Sequence, residues 1–184
     1  MTMPAVAPAP DPLLVPHVHR VIEVIPEIAD VVTLRVAPVD GRPAEFLPAQ
    51  IGMVGAFGIG EAAISISSPQ SERGHHDYTI RRAGAITGAL TALEPGDALW
   101  VRGPFGRPWD LSLDGRDIVV AAGGIGLAPL RSAVHAIIAE RVRFGKVTVV
   151  VGARSSAGLL YHREYDDWRA AGLDVVATID RDEP

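Results

Sequence analysis

The sequence predicts an antiparallel β-barrel followed by a parallel α/β unit, and three observations carry that expectation. Residues 18–103 hold six short β-rich runs separated by Gly, Pro and Asp turns, the spacing of a small closed barrel. From Asp117 onward, strand-like runs alternate with helix-patterned stretches, which gives parallel strands joined by right-handed crossovers. The first of these later runs enters "AAGGIGLAPL", where glycines replace side chains just before a helix. Glycine there permits positive φ and close approach of backbone to a ligand.

In chain order, "MTMPAVAPAPDPLLVP" reads as a disordered arm over residues 1–15. It lacks a basic start, and its prolines interrupt any apolar run, so it is no signal peptide. Residues 18–25 and 31–37 are β-branched, divided by Pro26 and closed by Pro38. "PAQIGMVGAF", "AAISISS", "HDYTIRR" and "ALWVRGP" supply the remaining barrel strands. One segment breaks the pattern: "ITGALTALEPGD" sets Ile86, Leu90 and Leu93 on one helical face and stops at Pro95 and Gly96. A lone helix in a β-domain needs a reason, and a ligand at its N-terminus is one.

The second half begins with the strand "DIVVAA". A helix over 129–143 follows, with Leu130, Val134, Ile137 and Ile138 as its apolar stripe. "KVTVVVG" is the next strand. A second helix is expected over 156–171, with Leu159, Leu160 and Trp168 inward and "REYDDWR" facing water. "LDVVATI" is the last strand. Strand–helix–strand–helix–strand is one mononucleotide-binding half of a doubly wound sheet. The junction falls within residues 103–115, giving a barrel over 16–106 and an α/β unit over 107–184.

Composition narrows the function. The 184 residues carry a net charge of −5 and no basic run, which argues against nucleic acid or an anionic membrane as partner. The sequence has no cysteine, so these residues offer no disulfide, Cys-ligated zinc or Cys-ligated iron–sulfur cluster. No apolar run is long enough to span a bilayer, and a cytoplasmic protein is expected. His75 and His76 sit side by side and should point to opposite faces, so no metal site is expected from them. Trp109 is expected to plug the junction between the two halves.

Six stretches in this order and spacing resemble one family: "IADVVTLRV", "FLPAQIGMVGAFGIGEAAISISSP", "YTIRRAGAITGAL", "GPFG", "AAGGIGLAPL" and "VVVGARSSAGLLYHREYDDW". They are similar to the ferredoxin–NADP reductase superfamily, and within it to the gamma subunits of cytoplasmic nickel–iron hydrogenases. The resemblance implies a Greek-key flavin-binding barrel and an incomplete NAD(P)-binding βαβαβ unit. The family's flavin signature, Arg-x-Tyr-Ser-x-x-Ser, falls on residues 62–68. Ser65 and Ser68 keep its serines, whereas alanine and Ile64 replace its arginine and tyrosine.

By resemblance, Ser65 hydrogen-bonds near the redox nitrogen of the flavin ring and is the residue nearest the chemistry. Ile64 packs on the ring. Arg81 takes over the flavin pyrophosphate, and Gly84, Ala85, Ile86 and Thr87 hold a phosphate at the start of the lone helix. The plainer alternative is that Thr87 only caps the helix and Arg81 faces solvent. Gly123, Gly124, Ile125 and Gly126 resemble the family's nicotinamide-dinucleotide loop, with Pro129 in the first turn of the following helix. Arg154 and Ser155, at the end of the second strand, suit the 2′-phosphate of NADP rather than NAD. The alternative there is a serine cap and a surface arginine.

The implied activity is transfer of electrons between NAD(P)H and FAD, then through iron–sulfur partner subunits to or from a nickel–iron hydrogenase. The alternatives are the electron-transfer subunit of dihydroorotate dehydrogenase and a non-catalytic dinucleotide-binding or assembly module. Subunits of the hydrogenase kind continue with further strands and a cysteine cluster for a [2Fe–2S] centre. This chain stops at "TIDRDEP", so it is expected to be truncated, with one edge of the strand "DIVVAA" open.

Overall fold

A computed structural model describes residues 12–41 and 43–180. Most of the expected N-terminal arm, residues 1–11, lies outside the described residues; a 3₁₀ turn, Pro12–Leu14, leads into the first strand.

Six antiparallel strands make the first half: β1 (His17–Ile28), β2 (Val31–Pro38), β3 (Ile51–Ala56), β4 (Gly60–Ser65), β5 (His76–Arg81) and β6 (Ala98–Phe105). Their order is β4-β3-β6-β1-β2-β5. An antiparallel bridge between Ile66 and Tyr78 joins the two ends and closes the barrel. Pro26 does not end β1 as expected. The register with β2 shifts between Pro26 and Ile28, and such an irregularity lets a proline sit in a strand without breaking the ladder. A Cβ placed on Gly55 would stand 2.0 Å from Trp100 Cε2, so only glycine lets the indole lie across β3.

A half-buried strand should alternate, but every residue of β5 from His76 to Ile80 is buried. Tyr78 and Ile80 belong to the barrel core, while Asp77 and Thr79 bond to residues of the second half. β5 is thus covered on both faces. The lone helix α1 (Ala85–Leu90) follows it.

The second half is a parallel sheet in the order β7-β8-β9, formed by Ile118–Gly123, Val147–Ala153 and Asp174–Ile179. Among the described strands β7 pairs with β8 alone, and Val119 on β7 is 70% exposed. Helix α2 spans Ala128–Ala139, shorter than expected, because the chain turns out of helical geometry at Glu140 and continues as a 3₁₀ turn, Arg141–Arg143.

The second expected helix is corrected more strongly. Residues 156–171 form two 3₁₀ turns, Ser156–Gly158 and His162–Glu164, and only then α3 (Tyr165–Ala170). Between the turns Tyr161 adopts φ 56°, which breaks the helix and sends its hydroxyl to Thr79 on β5. A tertiary bond overrides local helix propensity here. In "REYDDWR", Arg163, Asp166, Asp167 and Arg169 face water as expected, but Tyr165 is buried and donates to the Leu160 carbonyl at 2.8 Å.

The parallel sheet packs over Leu127, Val134, Ile137, Leu160 and Trp168. Val31, fully buried at the start of β2, belongs to this same core, and Ile28 packs against it. The tip of a barrel hairpin therefore completes the interior of the other half.

His75 and His76 do face opposite ways. His75 pairs with Glu72, while His76 is buried in edge contact with Phe46 and places Nε2 2.9 Å from the Ala44 carbonyl oxygen. Burial pushes His76 from 6.5 to about 4. Between those values the unfolded chain binds a proton that the folded chain refuses, so stability falls as pH drops through this window. The loss should reach about 3 kcal/mol by pH 4. Urea titrations at pH 7 and pH 4 should show it in the native protein and not in His76→Phe, after allowance for the carboxylates that both share.

Candidate functional site

The segment after β4 presents three serines, and packing sorts them. Ser67 is fully buried; its hydroxyl donates to the Asp77 carbonyl at 3.1 Å and lies 3.0 Å from Thr79 Oγ1. Ser68 is equally buried, with its oxygen accepting the Asp77 N–H at 3.0 Å. Its side chain ties the strand end to β5, and its O–H donates to no other described residue. Ser65 is half-buried, and no hydroxyl bond to another described residue occupies it. It remains free to bond a ligand. Ile64 packs partly on the barrel core, so only some of its surface is open.

Arg81 ends β5. Its Nε lies 3.1 Å from Asp30 Oδ2, an ion-pair distance, yet the N–H is not aimed at that oxygen and has no hydrogen-bond partner among the described residues. A Cβ on Gly124 would lie 3.6 Å from Arg81 Nη2. The two sequence features singled out separately, the barrel arginine and the glycine loop, thus meet across the junction. Part of the solvent-facing alternative also holds, since the Arg81 side chain is 39% exposed.

Thr87 follows the plainer alternative. Its Oγ1 accepts from the N–H groups of Ala83 at 2.9 Å and Gly84 at 3.1 Å, closing the turn before α1. Its oxygen is therefore engaged in the cap. The N–H groups of Ala85, Ile86 and Thr87 open the helix without an intrahelical acceptor.

The glycine loop leaves β7 at Gly123 and winds through a 3₁₀ turn, Gly124–Leu127, straight into α2. Gly124 has φ +50°, which favours glycine, and a Cβ on Gly123 or Gly126 would meet nothing within 4 Å. Ile125 is half-buried between them, and Pro129 occupies the first helical turn. Arg154 and Ser155 follow β8 at the same carboxyl edge of the sheet, where Gly123 pairs with Gly152. Arg154 is exposed with no ion pair among the described residues, and Ser155 caps the next turn through its backbone rather than its hydroxyl. Ligands of open α/β sheets bind at this edge. The Arg81 guanidinium, with Nη2 beside the open glycine turn, fits an anionic dinucleotide.

A buried polar network behind this edge was not foreseen. Arg131 on α2 donates to the Ser67 carbonyl at 2.9 Å, to Asp77 Oδ2 at 3.2 Å and to Glu164 Oε1 at 2.8 Å. Tyr161 donates to Thr79 Oγ1 at 2.5 Å, and Arg35 grips the other side of Asp77. Burial raises the Glu164 pKa, but His135 and Arg131 more than offset this and leave it below the ordinary value. A charged residue directly after Leu130, inside an apolar helix face, was the available signal.

Glu72, His75 and Asp77 bring one ligand atom each within 4.8 Å of the others, but the Arg35 guanidinium already reaches both acids there. Trp109 is half-exposed at the junction, beside a cavity of about 200 Å³ lined also by Pro48, Ala136 and Phe144. A cavity of about 960 Å³ between Phe46, Gln70, His76 and Pro104 contains none of the expected site residues. Among the described residues no helix is long and apolar enough to cross a membrane.

Comparison with known proteins agrees with this architecture. Residues 120–184 match the oxidoreductase NAD-binding domain family. The fold superposes with a TM-score of 0.80 on the flavohem-like FAD/NAD-binding domain of nitric oxide dioxygenase from Vibrio cholerae, at 18% identity, covering 91% of this chain and 75% of that one. A barrel joined to such a domain is the fold it also shares with phthalate dioxygenase reductase, at a TM-score of 0.77 and 20% identity, covering 91% of this chain and 52% of that one. In sequence, the chain resembles the sulfhydrogenase 1 gamma subunit of Pyrococcus furiosus, 32% identical over 142 residues, or 74% of this chain and 49% of the relative. It is also 34% identical over 170 residues to a probable dihydroorotate dehydrogenase B electron transfer subunit from Methanothermobacter thermautotrophicus, covering 92% of this chain and 60% of that protein. The chain spans about half the length of the curated relatives it matches.

Proposed function

We propose that this chain binds FAD on the barrel and NAD(P)H on the glycine loop, and serves as an electron-transfer module between them. The convergence of Arg81 on Gly124 carries the reading. A bound flavin supplies the two-electron acceptor for the hydride of the reduced nicotinamide. Ser65 offers its unengaged hydroxyl to the ring, and Arg81 offsets pyrophosphate charge where the barrel meets the loop. The backbone from Gly123 to Gly126 approaches the second pyrophosphate closely, aided by the positive end of α2. Arg154 and Ser155 favour a 2′-phosphate and hence NADP.

By likeness to the sulfhydrogenase gamma subunit, the electrons continue through iron–sulfur partners to a cytoplasmic nickel–iron hydrogenase. The second reading, a dihydroorotate dehydrogenase electron-transfer subunit, is favoured by the longer span matched in that relative. Titration with FAD tests the binding step. Arg81→Ala should weaken it by about 1.5–3 kcal/mol, the range for a charged hydrogen bond. Equal affinity of variant and native protein would remove Arg81 from the site. No flavin uptake by either would leave a dinucleotide-binding module without the redox function.

A further inference from the structure

We propose that Arg131 is a positioning residue that holds the dinucleotide loop in register with the flavin face of the barrel. The proposal rests on the cofactor assignment above for its kinetic consequence, but its geometry stands without it. Arg131 lies in the first half of α2, the helix that continues directly from the glycine loop. Its side chain is 11% exposed, and one nitrogen, Nη1, bonds two points of the barrel at once. The first is the Ser67 carbonyl, two residues beyond Ser65 on the same strand end. The second is Asp77 on β5, the strand that ends in Arg81.

The other side of the guanidinium is fixed from within the α/β half. Nε donates to Glu164, which His135 braces at 3.0 Å, and the plane stacks 5.1 Å from the Tyr161 ring centroid. Both halves therefore determine where this one group sits, and the group ties together the segments bearing Ser65, Arg81 and the glycine loop. Lysine has one point charge and cannot make this forked set of bonds. Hydride transfer between two bound cofactors depends steeply on their separation and angle, and small misplacements cost rate far more than affinity.

The test uses Arg131→Met, which keeps the contact with Tyr161 and removes every hydrogen bond, beside Arg131→Lys and Glu164→Gln as milder variants. In flavin-loaded protein at saturating NADPH, Arg131→Met should reduce flavin at least about tenfold more slowly, with each cofactor's Kd within about threefold of native. Arg131→Lys should recover part of the rate. A native rate in Arg131→Met, or equal losses in rate and both affinities, would overturn the proposal.

Amide hydrogen exchange of the cofactor-free protein gives a readout that does not depend on the functional reading. Arg131→Met and Glu164→Gln should lose protection together at residues 65–68 and 124–130 while β1 and β2 keep theirs. Unchanged protection at either segment, or loss throughout the chain, would sink the positioning role. If native protein takes up no flavin yet this paired loss appears, the cofactor assignment fails and the positioning role survives.

Discussion

Asp77→Ala should destabilise the protein by about 3–5 kcal/mol, the cost of leaving buried charges without their partner. Asp77 is fully buried between two guanidiniums, with Arg35 Nε at 2.9 Å on one oxygen and Arg131 Nη1 at 3.2 Å on the other. Removing the carboxylate strands both cations. Arg35 retains Glu23 at 2.9 Å in a more exposed position and loses less. Arg131 keeps Glu164, but its hold on the barrel shrinks to the Ser67 carbonyl. Asp77→Asn preserves shape and one acceptor oxygen, so it should fall between alanine and native. Urea midpoints of the three proteins check the order. A loss below about 1 kcal/mol for alanine, the scale of a surface ion pair, would mean that water reaches the network freely.

Trp168→Ala should cost a similar amount, about 3–5 kcal/mol, through the cavity it opens under the parallel sheet. Trp168 is 1% exposed and packs against Tyr165, with ring centroids 5.7 Å apart, and edge-on to His135 at 6.3 Å. The indole Nε1, however, has no hydrogen-bond partner among the described residues. A buried unpaired donor is itself unfavourable by about 1–3 kcal/mol. Trp168→Phe removes that donor along with part of the ring, so its net loss should stay under about 1.5 kcal/mol. Circular dichroism suits the measurement better than fluorescence, because the chain has 3 tryptophans. Equal losses for Phe and Ala would show that the whole indole area, rather than the cavity left by alanine, sets the energy.

The strands were legible because each barrel run is short, apolar on one face and bounded by Gly, Pro or Asp. The glycine turn was legible because few residues other than glycine take the backbone angle of Gly124. Helix lengths were not. Tyr161 reads as one more helical residue until its bond to Thr79 is known, and those residues stand far apart in sequence. The same limit applies to the three serines. All lie within one heptapeptide, and only their packing against β5 separates the half-buried Ser65, which makes no hydroxyl bond to a described residue, from the fully buried Ser67 and Ser68. Thr87 shows the reverse case, in which the modest local reading, a cap, was the one the geometry adopts.

The seating of Val31 and Ile28 in the core of the second half bears on how such proteins exchange parts. A recombination joint placed in the linker after β6 would divide the sequence neatly but not the interiors. A barrel taken from one relative would bring its own hairpin tip to plug a foreign parallel sheet, and the sheet would receive a side chain shaped for another cavity. Interchangeable modules of this architecture would therefore need to travel with the β1–β2 tip matched to the recipient, as a key is cut to a lock rather than to the door.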